Sequence, residues 1–271
     1  MSSTNSPVYS PPFTTHTHTV VFLHGRGDNA LDFARSLNYS RDSHNRTIAD
    51  AFPTFRWVFP RAKLSKSVAL PGGAEVSQWF DICNASNFSE REELQADGLR
   101  ESVTNIREII VREAEMLGGR YDHVILAGIS QGAATSVHTL LNLKLPDDQK
   151  NLGAFLGFSC RMPFPGGSLG DTRAILGLSD VPEGDSVLRD TPVLLEHCVD
   201  DGTVPIALGR ELRDTLRRFG SEVEWKEYPD GGHWFNSPGG IDDVVRFLCD
   251  LGFPGSSEVQ DTDAGSAMDL S

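Results

Sequence analysis

The sequence predicts an α/β fold, with a mostly parallel central sheet covered by helices on both faces. Two observations carry this. Short apolar runs with the length of buried strands, at 19–23, 56–59, 123–128, 153–159, 191–197 and 222–228, alternate with stretches whose apolar residues recur every three or four positions. Glycines stand where one pattern hands over to the other, as at Gly25, Gly118 and Gly128. Strands alternating with helices pair in parallel, and in such sheets ligands bind beyond the carboxyl ends of the strands. With 271 residues, 39% of them hydrophobic, one core and one domain are expected.

In chain order, residues 1–18 read as a flexible polar leader, with neither the basic start nor the apolar run of a signal peptide. The domain proper is expected over 19–253. The strand at 19–23 enters a glycine turn, His24-Gly25-Arg26-Gly27-Asp28, and the strand at 56–59 is closed by Pro60. Residues 63–78, rich in Gly, Ser and Val, read as a loop ahead of Trp79-Phe80-Asp81. Val103, Ile106, Ile109, Ile110, Ala114 and Leu117 form the apolar stripe of a helix over 94–117, stopped by Gly118-Gly119. A small-residue helix over 131–143 follows the strand at 123–128. Further helices are expected at 206–219 and 241–251. Residues 161–190, with Pro163, Pro165 and several acids, read as an insertion near the ligand-binding end, and 254–271 as a disordered acidic tail.

The net charge of −14 argues against nucleic-acid partners, which need clustered cations to neutralise phosphates. It also argues against anionic membrane surfaces, and no run approaches the roughly 18 apolar residues of a membrane span, so no stable membrane insertion is expected. Cys83, Cys160, Cys198 and Cys249 are too dispersed for a zinc site or a disulfide scaffold. Free thiols in a cytoplasmic protein are the expectation. No metal is expected either, since outside the leader no paired His or carboxylates stand at ligand spacing. Gly25-x-Gly27 lacks both the third glycine of a dinucleotide fingerprint and the G-K-[ST] of a phosphate loop.

Gly128-Ile-Ser130-Gln131-Gly132 fits the nucleophile elbow G-x-S-x-G of the α/β-hydrolase fold, in which a strained strand-to-helix turn lifts a serine hydroxyl above the sheet. Gly166-Gly-Ser168-Leu-Gly170 fits the same pattern but follows two prolines and is expected to enter no helix. Ser130 is therefore the candidate nucleophile. A serine needs a base, and in this fold the chain order is Ser, then Asp or Glu, then His. His233, in the glycine loop after the last strand, is the one histidine that fits with an acid between. The orienting acid belongs just past the strand at 191–197, where spacing leaves Asp200 and Asp201 open, with Asp230 a weaker rival. Two backbone N–H groups must face the developing oxyanion. Gln131 is expected to supply one and Arg26 the other.

Together, Phe22-Leu23-His24-Gly25-Arg26-Gly27-Asp28, Phe59-Pro60-Arg61-Ala62, Trp79-Phe80-Asp81-Ile82, Gly128-Ile-Ser130-Gln131-Gly132, Asp201-x-x-Val204-Pro205 and Gly232-His233 resemble the acyl-protein thioesterase and lysophospholipase family of carboxylesterases, over roughly 19–250. The resemblance implies cofactor-free hydrolysis of an ester or thioester carried by a lipid, an acylated protein or a small metabolite. It also implies Asp201 as the catalytic acid, Arg26 and Gln131 as oxyanion donors, and Trp79 beside the acyl channel. Arg161 and Trp234 are further candidates for substrate contact. Against that family, Arg26 replaces the usual Leu, residues 63–78 are more polar, and Arg161 stands in place of an aromatic residue. A polar lining forfeits about 0.8 kcal/mol per methylene of a long acyl chain, so shorter or more polar acyl groups are expected. Acyl transfer or cyclisation on the same triad, and ligand binding without turnover, are the alternative readings.

Overall fold

The computed structural model describes residues 6–256. A seven-stranded sheet forms its centre: β1 (Val8–Ser10), β2 (His18–Leu23), β3 (Phe55–Phe59), β6 (Val124–Ile129), β7 (Ala154–Phe158), β8 (Val193–Cys198) and β9 (Val223–Tyr228), in the order β1-β3-β2-β6-β7-β8-β9. All neighbours are parallel except β1, which pairs antiparallel with β3. The strand order reverses between β2 and β6, and a crevice opens at such a switch point beyond the strand ends.

The central strands are apolar throughout because both of their faces are covered. On β2, Val21 and Leu23 join one core while Val20 and Phe22 join the other, and β6 divides in the same way. The first core is covered by α3 (Gln95–Met116), α4 (Gln131–Leu141), α5 (Leu169–Leu176), α6 (Ser186–Asp190) and α7 (Ile206–Arg218). The second lies under α1 (Ala30–Ser36), α2 (Ile48–Ala51) and α8 (Gly239–Asp250).

Three segments differ from their sequence-based expectation. Part of the expected leader is built into the sheet, as strand β1 and the first residue of β2. A three-residue strand carries too little periodicity to register, and only its partner Phe55–Phe59 reveals it. Residues 63–78 form an antiparallel hairpin, β4 (Lys63–Lys66) and β5 (Glu75–Gln78), rather than an irregular loop. The 161–190 insertion contains two short helices, α5 and α6. Its Ser168 does enter a helix, capping α5 through a reciprocal box with Asp171. No strand leads into it, so it is a cap rather than an elbow. The buried Arg173 ties the insertion down by donating to the carbonyls of Leu141, Pro182 and Gly184. Of the expected tail, Ser256 donates its N–H to Ala51 (2.7 Å), and residues 257–271 lie outside the described residues, as do 1–5. Among the described residues no helix is long and apolar enough to cross a membrane.

Candidate active site

Ser130 follows the last residue of β6 and caps α4 with φ 56° and ψ −125°, a left-handed conformation that costs of order 1–3 kcal/mol. Close packing holds it there. A Cβ on Gly132 would lie 2.4 Å from the His24 carbonyl oxygen, and one on Gly128 would lie 2.6 Å from Ala133 Cα. Both glycines of the motif are thus required by the approach of β2 and of α4's own first turn. Helix α4, buried along its whole length, brings its N-terminus under the serine.

The turn after β2 meets the elbow directly. Gly25 faces Ser130, such that a Cβ there would stand 3.5 Å from Ser130 Cβ and 4.0 Å from Oγ. The N–H of Arg26 has no acceptor among the described residues, whereas its neighbour Gly27 donates to Ser77 O (2.8 Å). The N–H of Gln131 opens α4 and has no intrahelical acceptor. Both N–H groups are thus left without a backbone acceptor among the described residues. The Gln131 side chain locks the layer above them by accepting from Trp79 N–H (2.9 Å) and donating to Phe80 O (2.8 Å).

His233 leaves the loop after β9, with its side chain a quarter exposed. Its Nδ1 lies 2.8 Å from Asp201 Oδ2, and since a carboxylate only accepts, Nδ1 carries the proton and Nε2 is left with its lone pair. Asp201 follows β8 with its side chain fully buried. Burial would push its carboxyl up, but hydrogen bonds from His197, His233 and the N–H groups of Val204 and Thr203 outweigh that and hold it well below the usual carboxylate range. Neither the Ser130 hydroxyl nor His233 Nε2 has a hydrogen-bond partner among the described residues.

Asp201, rather than Asp200 or Asp230, therefore meets the imidazole. Asp200 is exposed and accepts from Gly232 N–H (2.8 Å), pinning the loop one residue before His233. Asp230 lies under Asn236, which donates to its carbonyl (2.9 Å).

Two histidines that sequence reasoning passed over shape the site. His197 ends β8 with Nε2 2.8 Å from Val204 O and 3.3 Å from Asp201 Oδ2, so this nitrogen is the donor. It fills the last acceptor position on the Asp201 carboxylate. His24 donates from Nδ1 to Gly25 O (2.8 Å) and accepts at Nε2 from Ala62 N–H (3.3 Å), fixing the turn from beneath. Proximity in chain to the glycine turn and to the acid was the available signal.

The three residues expected to contact substrate are each hydrogen-bonded within the protein. Trp79 is buried, donating from its indole to His24 O (2.8 Å), and forms the underside of the turn. Arg161 is buried too, donating to Gln95 Oε1 (2.8 Å) with its guanidinium over the Phe88 ring, and burial draws it down to about 10. Trp234 donates to Ser40 Oγ (3.0 Å) and packs edge-on against Phe33 and Phe235, which anchors the His233 loop. The fold also gathers Asp42, His44 and Asp242 within 4.8 Å, a set of metal-ligand types that sequence spacing did not suggest. Asp42 is paired there with Arg46 (2.8 Å) and Asp242 accepts from Ser43, so both carboxylates have other partners.

A sequence model described as phospholipase/carboxylesterase matches residues 5–249. Among curated relatives, acyl-protein thioesterase 1 of Gibberella zeae is 28% identical over 247 residues, covering 90% of this chain and 94% of its own. Acyl-protein thioesterase 1 homolog 1 of Dictyostelium discoideum is 27% identical, covering 87% and 91%. Among solved structures, acyl-protein thioesterase 2 of Zea mays superposes with a TM-score of 0.68 at 23% identity, over 91% of this chain and 99% of its own.

Proposed function

Taking as premise that the chain belongs to the phospholipase/carboxylesterase family and is a hydrolase of esters or thioesters, we propose that it works through an acyl-enzyme on Ser130, with His233 as base and Asp201 as its orienting acid. His233 Nε2 takes the hydroxyl proton as Oγ attacks the carbonyl carbon. The N–H groups of Arg26 and Gln131 receive the oxyanion, and His233 returns the proton to the leaving oxygen or sulfur. Water, deprotonated by the same nitrogen, then releases the acid. No step calls for a cofactor. The leaving group we propose is a thiol, of a protein side chain or a small molecule, in keeping with the thioesterase names of the relatives.

The observation that carries this reading is the 2.8 Å bond from His233 Nδ1 to a fully buried Asp201, which leaves Nε2 as the only basic atom of the ring. A fluorophosphonate probe tests it. The native chain is expected to be labelled and Ser130→Ala to be unlabelled, with turnover falling at least about 10³-fold. Labelling that persists in the Ala variant overturns the assignment.

A further inference from the structure

One residue on from Gly25, which faces Ser130, Arg26 carries a cation without a direct ionic partner. Arg26 sends its guanidinium under the β4–β5 hairpin, where Nε donates to Gln78 Oε1 (3.0 Å) and Nη2 to Ser67 Oγ (2.7 Å). Both acceptors are neutral. Asp81, the nearby carboxylate, is turned to other donors: Ser67 Oγ (2.9 Å), Gln78 Nε2 (3.3 Å) and the N–H groups of Val68 and Ile82. Nη1 has no acceptor among the described residues, nor does the second N–H of Nη2. Burial disfavours the charge on Arg26, and Asp81 offsets this from a distance.

Between Asp50 and Glu75 the chain carries Arg56, Arg61, Lys63 and Lys66 and no acid, a basic run in a chain of net charge −14. Within it, Arg56 is paired with Glu113 and Lys63 with Glu101, while the exposed Lys66 stands across the hairpin from Glu75. The adjoining Gly25 stands against Ser130, so an acyl group whose carbonyl oxygen lies at the Arg26 N–H starts at the root of this side chain.

We propose that the preferred acyl group is short and ends in a carboxylate, which the free N–H groups of Arg26 bind while Ser67 and Gln78 hold the guanidinium in place. This rests on the hydrolase reading above and names the substrate class for the same site. A plain alkyl chain of equal length leaves those donors unmet. A carboxylate meets them with charge-assisted hydrogen bonds, which in a partly buried setting are the strong kind. The preference is expected to be roughly tenfold to a hundredfold in kcat/KM.

The test compares p-nitrophenyl butyrate with mono-p-nitrophenyl succinate, and the valerate with the glutarate, spontaneous hydrolysis being subtracted. The native chain is expected to favour the carboxylated member of each pair at least roughly tenfold, less so at high salt. Arg26→Leu, which keeps the backbone N–H, is expected to bring the ratio to one or below. Because the readout is a ratio, a general loss of activity does not imitate the effect. Should that variant fail to fold, Ser67→Ala combined with Gln78→Leu frees the guanidinium and is expected to lower the same ratio. A native ratio at or below one, with plain esters turned over, overturns this inference and leaves the hydrolase reading standing, as does a ratio that survives Arg26→Leu. Fluorophosphonate labelling of Ser130 with no cleavage of the carboxylated esters overturns the inference alone. Absence of both labelling and cleavage overturns both.

Discussion

The proposed nucleophile and the proposed base are held by different means. The elbow around Ser130 is a matter of steric exclusion, since its two flanking glycines abut backbone at 2.4 Å and 2.6 Å from where a Cβ would be, and the helix behind it is buried throughout. The His233 loop is held at its edges by hydrogen bonds, the ring donating to Asp201, Gly232 to Asp200 and Trp234 to Ser40, with Trp234 packed on Phe33 and Phe235 and Gly231 close to Cys198 Sγ. A Cβ on Gly232 would meet nothing within 4 Å. A serine that must be strained needs a rigid mould, whereas a base that passes a proton between two partners needs orientation with some play. The difference separates what substitutions should do in each region.

The largest effect expected is from Asp201→Asn. The amide can present an N–H where the carboxylate accepted one, which would turn the His233 ring or move its proton to Nε2. In the serine-protease template this exchange costs roughly 10⁴ in kcat with binding little changed, and a comparable loss is expected here, read as kcat against KM on one ester. Loss of less than about tenfold would mean that the buried carboxylate is structural. The sign of its pH dependence follows from its depressed pKa. The stability that native Asp201 contributes is present above the ordinary carboxylate value near 3.9 and is lost only as pH falls through the lower value in the fold.

Next in size, and on the rigid side, is Gly132→Ala. The added methyl overlaps two backbone carbonyls, those of Leu23 and His24, and backbone cannot rotate aside as a flexible side chain does. Overpacking of this kind costs about 1–3 kcal/mol and at times more, so a Tm lower by upwards of about 5 °C is expected for a chain of this size. Gly232→Ala, at φ +62° but in open space, should cost about 1 kcal/mol. Equal losses for the two would dissolve the contrast between mould and loop.

This contrast also explains what the sequence made legible. The elbow is contiguous, so Gly128, Ser130 and Gly132 could be read off together, and the parallel sheet followed from the alternation of strand and helix patterns. The choice between Asp200 and Asp201 was not legible from spacing, because both stand beyond the same strand and only the resemblance to a family singled one out. His197 was discounted as the end of a strand, though its Nε2 reaches the same carboxylate. Trp79 was expected beside the acyl channel from the family resemblance, with Arg161 and Trp234 as further candidates for substrate contact. Their hydrogen-bond partners lie 55, 66 and 194 positions away, separations that no local pattern encodes. Strand β1 and the hairpin were missed because their runs of three and four residues are too short to show a period.

A smaller effect is expected beneath the loop. Glu196 on β8 is buried, with neither carboxyl oxygen accepting a hydrogen bond among the described residues, and Gly240 packs against it. Tyr228 gives its hydroxyl proton to Asp243 instead (2.7 Å). Burial and the adjacent Asp243 push the Glu196 carboxyl well above its ordinary range. The folded chain thus keeps a proton that the unfolded chain sheds near pH 4.3, and stability falls as pH rises from there toward the folded value. Glu196→Gln removes that dependence. The variant should gain on the native chain as pH rises from about 4.3, seen as a Tm difference in its favour that widens with pH. A gap that does not widen with pH would mean that the carboxyl is ionised in the fold.

The smallest effect expected is from Asp200→Asn, and it bears most directly on how much freedom the base has. Asp200 touches the loop through one exposed hydrogen bond to Gly232 N–H (2.8 Å), and the Asn carbonyl oxygen can still accept it. Only the charge is lost, from a solvated position where a single interaction is worth about 1 kcal/mol or less. Because the bond lies one residue from His233 and none of the proposed catalytic atoms is touched, the loss should appear in kcat, at roughly twofold to fivefold, with Tm changed by no more than about 1–2 °C. A fall in kcat near that of Asp201→Asn would mean that the two carboxylates orient the imidazole jointly, and the loop would then be as closely specified as the elbow.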